Sequence, residues 1–149
     1  MANKFFTEAI KTALDGTLDI SAGTYKVRLY TTAPTDGELG TAAIRLSDLS
    51  SSAAAGQSFA NDIGISTPTV AFNGGDVKYG DNVETIVITS AAISTAQTVI
   101  NMVVYQANTD DAGSIPIVSC DITSTTTNGE DLTITVAGNG FGNVGVNDS

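Results

Sequence analysis

The chain has 149 residues, of which 42% are hydrophobic and 15% are charged, and its formal net charge is −10. It contains no histidine, one cysteine and no tryptophan, and no Lys or Arg follows Lys78. Histidine is the commonest general base and metal ligand, and binding to phosphate or anionic lipid needs basic side chains. The composition therefore disfavours an enzyme, a metal or other cofactor, a nucleic-acid partner and a membrane partner, and it favours a structural or binding role.

The length and apolar content favour one folded domain over residues 1–149. Within it we expect a helix or arm over 1–16, a β-rich body over 24–137 and a glycine-rich tail over 138–149. The apolar run that ends in Cys120 predicts a buried, unreactive thiol. No apolar run approaches the length of a membrane span, and the first residues lack the core of a signal peptide, so we expect synthesis in a cytoplasm.

The first segment predicts a short amphipathic helix. Asn3 is a suitable N-cap and Gly16 a suitable stop. Two interpretations of this helix stay open, because its apolar stripe could pack on its own chain or dock into a neighbouring subunit. The stripe consists of apolar residues at three- and four-residue spacing, namely Phe5, Phe6, Ala9, Ile10, Ala13 and Leu14.

The pattern changes to strand at Tyr25. Alternation over Tyr25–Thr32 predicts a half-buried antiparallel strand, with Lys26 and Arg28 on its polar face. Ala33–Gly37 predicts a turn, since Pro34 fixes φ and Asp-Gly tolerates unusual backbone angles. The long segment 47–66 predicts a loop, mobile or laid on the surface around Ser50–Gly56.

Five further strands follow in the sequence. Val99–Gln106 is apolar on both faces and is expected to be central in its sheet. Short strands joined by polar turns, with one helix, predict a mainly β fold, an antiparallel β-sandwich of jelly-roll type whose strand order is left open. The strands are Thr69–Phe72, Val83–Thr89, Val99–Gln106, Ile115–Ile122 and Asp131–Val136, separated by turns at Asn73–Asp76 and Asn108–Gly113 and a loop at Thr123–Gly129.

Three patterns suggest chemistry, and each has a plainer explanation. Gly140–Gly145 fits GxGxxG, but we expect no helix after it, as a dinucleotide site would need. Asp110-Asp111 and the pair Asp76 and Asp81 could hold calcium, although neither matches an EF-hand and both suit turns. Two carboxylates could serve a glycosidase, but the chain has few of the aromatic residues that usually bind sugars.

The order of several segments resembles a family of small virion proteins of tailed bacteriophages, described as capsid cement (decoration) proteins or as minor tail or head-fibre proteins. The resemblance lies in the N-terminal helix, in Val27–Gly37, in Val103–Tyr105 with Asp110–Gly113, and in Asn128–Gly138. Members often have a glycine-rich stretch leading to Tyr-x-Arg after the first turn, where this chain has Ala42–Asp48. The middle of the chain is unmatched.

The resemblance implies a virion protein that is made in the host cytoplasm and acts without turnover. The favoured hypothesis is a homotrimeric capsid cement protein on the capsid exterior, which binds the major capsid protein and bridges its subunits. The alternatives are a tail or head-fibre component that recognises the host surface and, least favoured, a carbohydrate-active or calcium-dependent enzyme. The expected contact residues are Phe5, Phe6, Ala9, Ile10, Ala13 and Leu14 on the helix, Leu49 and Phe59 in the 47–66 loop, and Phe141 in the tail.

Overall fold

The structure, a computed structural model, describes residues 3–49, 52–73, 76–80, 82–136 and 140–145. Within these ranges the chain is mainly β, with one short α-helix, and every pair of strands within its sheets is antiparallel. The predicted mainly β, antiparallel class is thereby confirmed. The elements are β1 (Asn3–Phe5), α1 (Thr7–Leu14), β2 (Thr24–Tyr30), β3 (Ile63–Ile65), β4 (Val70–Asn73), β5 (Asp76–Tyr79), β6 (Thr85–Ile88), β7 (Thr98–Asn108), β8 (Asp110–Thr126), β9 (Leu132–Thr135) and β10 (Gly142–Gly145).

Three sheets contribute to one hydrophobic core. The largest has the strand order β1-β8-β7-β2-β3, and the others have the orders β10-β5-β4 and β6-β9. Side chains from all three sheets, and from α1, belong to a single cluster of buried residues. The strand order, which the sequence left open, is thereby given. The sandwich arrangement of jelly-roll type stays a prediction.

The β7–β8 hairpin is the centre of the largest sheet. β7 lies between β8 and β2, and its residues from Asn101 to Tyr105 are all buried, as the apolar pattern predicts. The hairpin turns at Thr109, whose φ of 62° lies in the left-handed region, an unusual conformation for a β-branched residue. β8 runs on to Thr126, so Thr123–Thr126 is strand and not the predicted loop.

β2 is more buried than its alternating pattern predicts. Tyr25, Val27 and Leu29 are fully buried on one face, but Arg28 and Tyr30 on the other face are only 5% and 2% exposed. The prediction of a half-buried strand is therefore wrong for this second face. The reason is tertiary, because β2 lies between two other strands and Arg28 finds buried acidic partners there.

The N-terminal prediction is correct for the helix and its stop but wrong for its start. Asn3–Phe5 forms an edge strand on β8, and Phe6 is the N-cap, with its N–H donating to the carbonyl of Ile117 at 2.9 Å. Gly16 follows the C-cap with φ +80°, as expected for a helix stop. The hydrogen bonds offered by β8 outweigh the helical periodicity at these first positions.

Two segments predicted to be irregular take part in the packing. Ala54 is 1% exposed and donates its N–H to the carbonyl of Leu29, so this part of the 47–66 loop is anchored to β2. Part of the predicted tail is strand, since Gly142–Gly145 pairs with β5. Residues 50, 51, 137–139 and 146–149 lie outside the described ranges.

Candidate functional site

The most exposed apolar surface of the described chain lies on α1. Leu14 is 84% exposed, whereas Phe6 and Ala9 at the start of the same stripe are buried. An open depression of ≈ 610 Å³ lies along this side of the helix, bordered by Phe5, Ile10 and Leu14. The helix therefore buries one end of its stripe and presents the other to solvent.

A second apolar depression lies on the other side of α1. It has a volume of ≈ 260 Å³ and includes Leu18, Ile44 and Arg45 in its lining. Ile44 is 51% exposed, the second largest value among the described large apolar side chains. We call the apolar side chains that border the first, larger depression, Phe5, Ile10 and Leu14, the α1 surface.

Two ion pairs lie near the α1 surface, and the exposed Asp15 also borders its depression. Lys11 pairs with Glu8 at 3.6 Å. Lys4 pairs with Asp36 at 3.5 Å. Three of these four side chains are more than half exposed, so the pairs contribute little to stability. With Asp15 included, one net negative charge lies beside an exposed apolar area, and such an area suits contact with another protein.

The α1 surface is supported from below by a row of aromatic rings. The Phe5 ring lies 5.9 Å from that of Tyr79, which in turn lies 6.4 Å from that of Phe141. Gly142 passes so close to Phe5 that a Cβ atom there would lie 2.8 Å from Cε2 of the ring. β10 thus fixes the edge of the surface and needs glycine to do so.

The structure divides the predicted contact residues into two groups. Phe6, Ala9 and Phe141 are 0–1% exposed and belong to the core, so their side chains are not available to a partner in this fold. This burial corrects the contact prediction for these three residues. The others are exposed or partly buried, namely Phe5, Ile10, Ala13, Leu14, Leu49 and Phe59.

Phe59 is held within its own chain. The Lys26 Nζ lies 4.2 Å from the centroid of the Phe59 ring and donates to the Phe59 carbonyl at 2.6 Å. The ring also lies 6.5 Å from that of Tyr105. These contacts give Phe59 an intramolecular role in ordering the chain before β3.

A buried charged cluster on the largest sheet is a feature that the sequence does not predict. Arg28 donates to Asp62 Oδ2 through Nε at 2.8 Å and to both carboxylate oxygens of Asp111 at 2.8 and 2.9 Å. The Tyr105 hydroxyl donates to the same Asp62 oxygen at 2.6 Å. The cluster ties together β2, the segment before β3, β7 and β8. Its only sequence signal is an arginine within an alternating strand.

The pKa shifts in this cluster follow from burial and pairing. Burial raises the pKa of Asp62, and the hydrogen bonds from Arg28 and Tyr105 offset this only in part. Burial tends to lower the pKa of Arg28, but its bonds to Asp111 and Asp62 prevail and raise it. Asp62 Oδ1 has no hydrogen-bond partner in the described structure. The cluster is a structural clamp in which the Arg28 and Asp62 side chains are buried and Asp111 is partly exposed.

The aspartate pair Asp110-Asp111 and the described part of the GxGxxG pattern have structural roles. Asp111 is bound by Arg28, and Asp110 Oδ1 accepts the Gly113 N–H at 2.8 Å, so both carboxylates make hydrogen bonds at the start of β8, where the sequence predicts a turn. Gly142–Gly145 is strand. No group of three or more potential ligand residues is close enough to hold a metal within the described ranges. Asp81 lies outside them.

Cys120 is buried, as predicted. It is 4% exposed, and burial raises its pKa to about 12, which keeps the thiol protonated at neutral pH. Because the thiolate is the reactive form, this residue is inert.

Comparison with known proteins adds no relative. No protein-family model, curated protein or solved structure matches the chain. None of the helices in the described ranges is long and apolar enough to cross a membrane.

Proposed function

We propose that this chain is a structural protein of a bacteriophage virion, a capsid cement protein without enzymatic activity. It binds the outer surface of the shell as a homotrimer and bridges neighbouring subunits of the major capsid protein. The α1 surface is the observation that carries the proposal, because it is an open apolar surface on a strongly acidic chain. The resemblance of the sequence to phage virion proteins supports the same role.

The proposed mechanism is the addition of contact area. Burial of an exposed Leu or Ile side chain stabilises a complex by about 1.5–3 kcal/mol. Leu14 and the half-buried Ile10 and Phe5 border one open apolar depression that another protein surface can cover. Many such copies, each bridging two shell subunits, oppose the outward pressure of packaged DNA. This mechanism needs no bound ion, so binding is expected to survive EDTA.

The test is binding of the purified protein to empty, expanded capsids of the parent phage, measured by mass photometry. The wild-type protein is expected to be a trimer that saturates shells at hundreds of copies. Leu14→Glu is expected to reduce shell occupancy at least about tenfold by placing a charge in the buried contact. Val70→Glu is the matched control, since Val70 is 42% exposed on β4, and it is expected to bind normally.

The results distinguish an error in the location of the contact from an error in the proposed function. Loss of binding in Val70→Glu but not in Leu14→Glu would keep the cement role and move the contact away from α1. A wild-type protein that ignores capsids but binds host cells would favour the tail or head-fibre alternative.

A further inference from the structure

A groove lies between two sheet edges that carry no neighbouring strand. It runs between β3, the last strand of the largest sheet, and β6, a strand of the two-stranded sheet. Residues 63–66 line one wall and residues 82–87 the other, around a volume of ≈ 490 Å³. The proposed cement role makes no use of this groove.

The hydrogen-bond pattern of β6 shows which backbone groups face away from β9. Val136 donates its N–H to the carbonyl of Glu84 at 2.9 Å, in the same register as the β6–β9 pairs. Directly opposed residues in an antiparallel pair alternate between hydrogen-bonded and non-hydrogen-bonded. Ile86 and Ile88 are therefore the bonded positions, and Thr85 and Val87 point their N–H and C=O groups away from β9.

The same reasoning applies to β3. Leu29 of β2 directs its N–H to the Gln57 side chain and its C=O to the Ala54 N–H, both on the side of β2 away from β7. By alternation, Tyr25 and Val27 bond to their partners Ile65 and Ile63. Gly64, between these partners, then points its backbone groups to the open edge.

These outward groups remain available for a further strand. Among the described residues, no backbone or side-chain hydrogen bond reaches the outward N–H and C=O of Gly64, Thr85 or Val87. β6 has the sequence Thr-Ile-Val-Ile, which contains neither the charged residues nor the proline that usually protect an edge strand. Val87 is also 42% exposed. An open, β-branched edge of this kind is a template for an added strand.

We propose that the β3–β6 groove binds an extended segment of a different protein, which adds as a strand to the β6 edge. Among the described residues that line the groove, Glu84 is the only ionisable one. The bound segment is therefore rich in β-branched residues and carries a single charged side chain, a Lys or Arg placed to reach Glu84.

A second copy of this chain is not the source of that segment. Of its six basic residues, five lie within formed elements: Lys4 in β1, Lys11 in α1, Lys26 and Arg28 in β2 and Lys78 in β5. Each of those three strands is already hydrogen-bonded to a neighbour. The backbone N–H of Arg45, the sixth, and that of Ile44 before it already donate to Asp48 Oδ2. The proposal is independent of the cement role, because the groove and the α1 surface have no lining residue in common.

The experiment is an NMR titration of the ¹⁵N-labelled protein with synthetic hexapeptides. The peptides have the sequence Thr-Val-Thr-Val-Thr-Val with a single Lys placed at each position in turn. At least one is expected to bind saturably, shifting the amide signals of Gly64, Thr85 and Val87. Methylating alternate backbone nitrogens of that peptide is expected to weaken binding at least about tenfold, since it removes the donors that pair with the edge.

The role of Glu84 is tested separately from the edge. Replacing the peptide Lys with Glu is expected to weaken binding about threefold to tenfold, and Glu84→Gln to remove most of that difference. The N-methyl groups that block strand pairing are placed on the peptide and not on the protein, so a folding defect of the protein does not explain a loss of binding in that test.

Three results would overturn the proposal. One is that no peptide shifts these signals at millimolar concentration, and another is that the methylated peptide binds equally well. The third is protection of the Thr85 and Val87 amides that grows with the concentration of the protein alone, which would assign the edge to a second copy.

Discussion

Gly80 combines two constraints that only glycine satisfies. Its φ of +76° lies in the left-handed region, and a Cβ atom there would overlap the ring of Phe141. We expect Gly80→Ala to lower the free energy of unfolding by about 2–4 kcal/mol through backbone strain and displacement of the ring. Urea unfolding followed by circular dichroism measures this loss.

Gly16 provides the control for that prediction. Its φ of +80° is nearly the same, but no atom lies within 4 Å of the position that its Cβ would take. Gly16→Ala is expected to cost only about 1–2 kcal/mol, from the backbone angle alone. Equal losses in the two variants would show that packing against Phe141 contributes nothing.

Arg28 is the residue on which the buried cluster depends. Removal of one partner from a buried ion pair leaves an uncompensated charge, so we expect Arg28→Met to destabilise the fold by about 3–5 kcal/mol. Lys4→Met removes an exposed pair and is expected to cost less than about 1 kcal/mol. Both values are measurable by urea unfolding at pH 7.

A double-mutant cycle tests whether Arg28 acts through Asp62. Asp62→Asn in the Arg28→Met background is expected to cost much less than it does alone, because the charge that it removes is already unpaired. Additive losses would contradict the clamp.

At the scale of elements, α1 shows what a periodic pattern can and cannot decide. The spacing places Phe6 and Leu14 on one apolar stripe, yet the first is fully buried and the second is 84% exposed. The difference arises because β1 pairs with β8 and brings the start of the helix onto the core, whereas the end of the helix extends beyond it. Helical periodicity defines a face but does not say how far the neighbouring sheet reaches.

This division predicts opposite effects of truncation at the two ends of α1. Phe6→Ala is expected to cost about 3–5 kcal/mol of stability, as is typical of a buried Phe. Leu14→Ala is expected to change stability by less than about 0.5 kcal/mol, since its side chain is in solvent. Thermal and urea unfolding of both variants check the pair. A large loss in Leu14→Ala would mean that the α1 surface is covered within the chain.

For the whole molecule, the burial of all four tyrosines predicts sensitivity to alkali. Tyr25, Tyr30, Tyr79 and Tyr105 are 0–2% exposed, and burial raises the pKa of each, to about 12 for Tyr30. A raised pKa means that the folded chain holds the phenolic proton more tightly than the unfolded chain. This contribution is complete below pH 10 and is lost as the pH rises toward 12.

Tyr30 alone is expected to account for a loss of about 3 kcal/mol between pH 10 and 12. Urea unfolding across this range measures the loss, and absorbance at 295 nm follows ionisation without interference from tryptophan, which the chain lacks. Tyr30→Phe is the control and should have a shallower dependence on pH. Stability that stays constant to pH 12 would contradict the burial of these side chains.

The sequence by itself determines the class of fold and several local features. Alternating and continuous apolar runs predict antiparallel strands and the central position of β7. Apolar residues at three- and four-residue spacing predict the one α-helix, and Gly16 predicts where it ends. These features depend on residues close together in the chain, so a local pattern is enough to reveal them.

Only the tertiary structure decides which distant segments meet. Arg28 pairs with Asp62, 34 residues away, and with Asp111, 83 residues away. The predicted tail becomes β10 because it pairs with β5, and the open groove exists because β3 and β6 end their sheets side by side. Many positions of the sequence have similar backbone hydrogen-bonding groups and similar apolar side chains. Their roles differ because the fold brings each position next to a different partner.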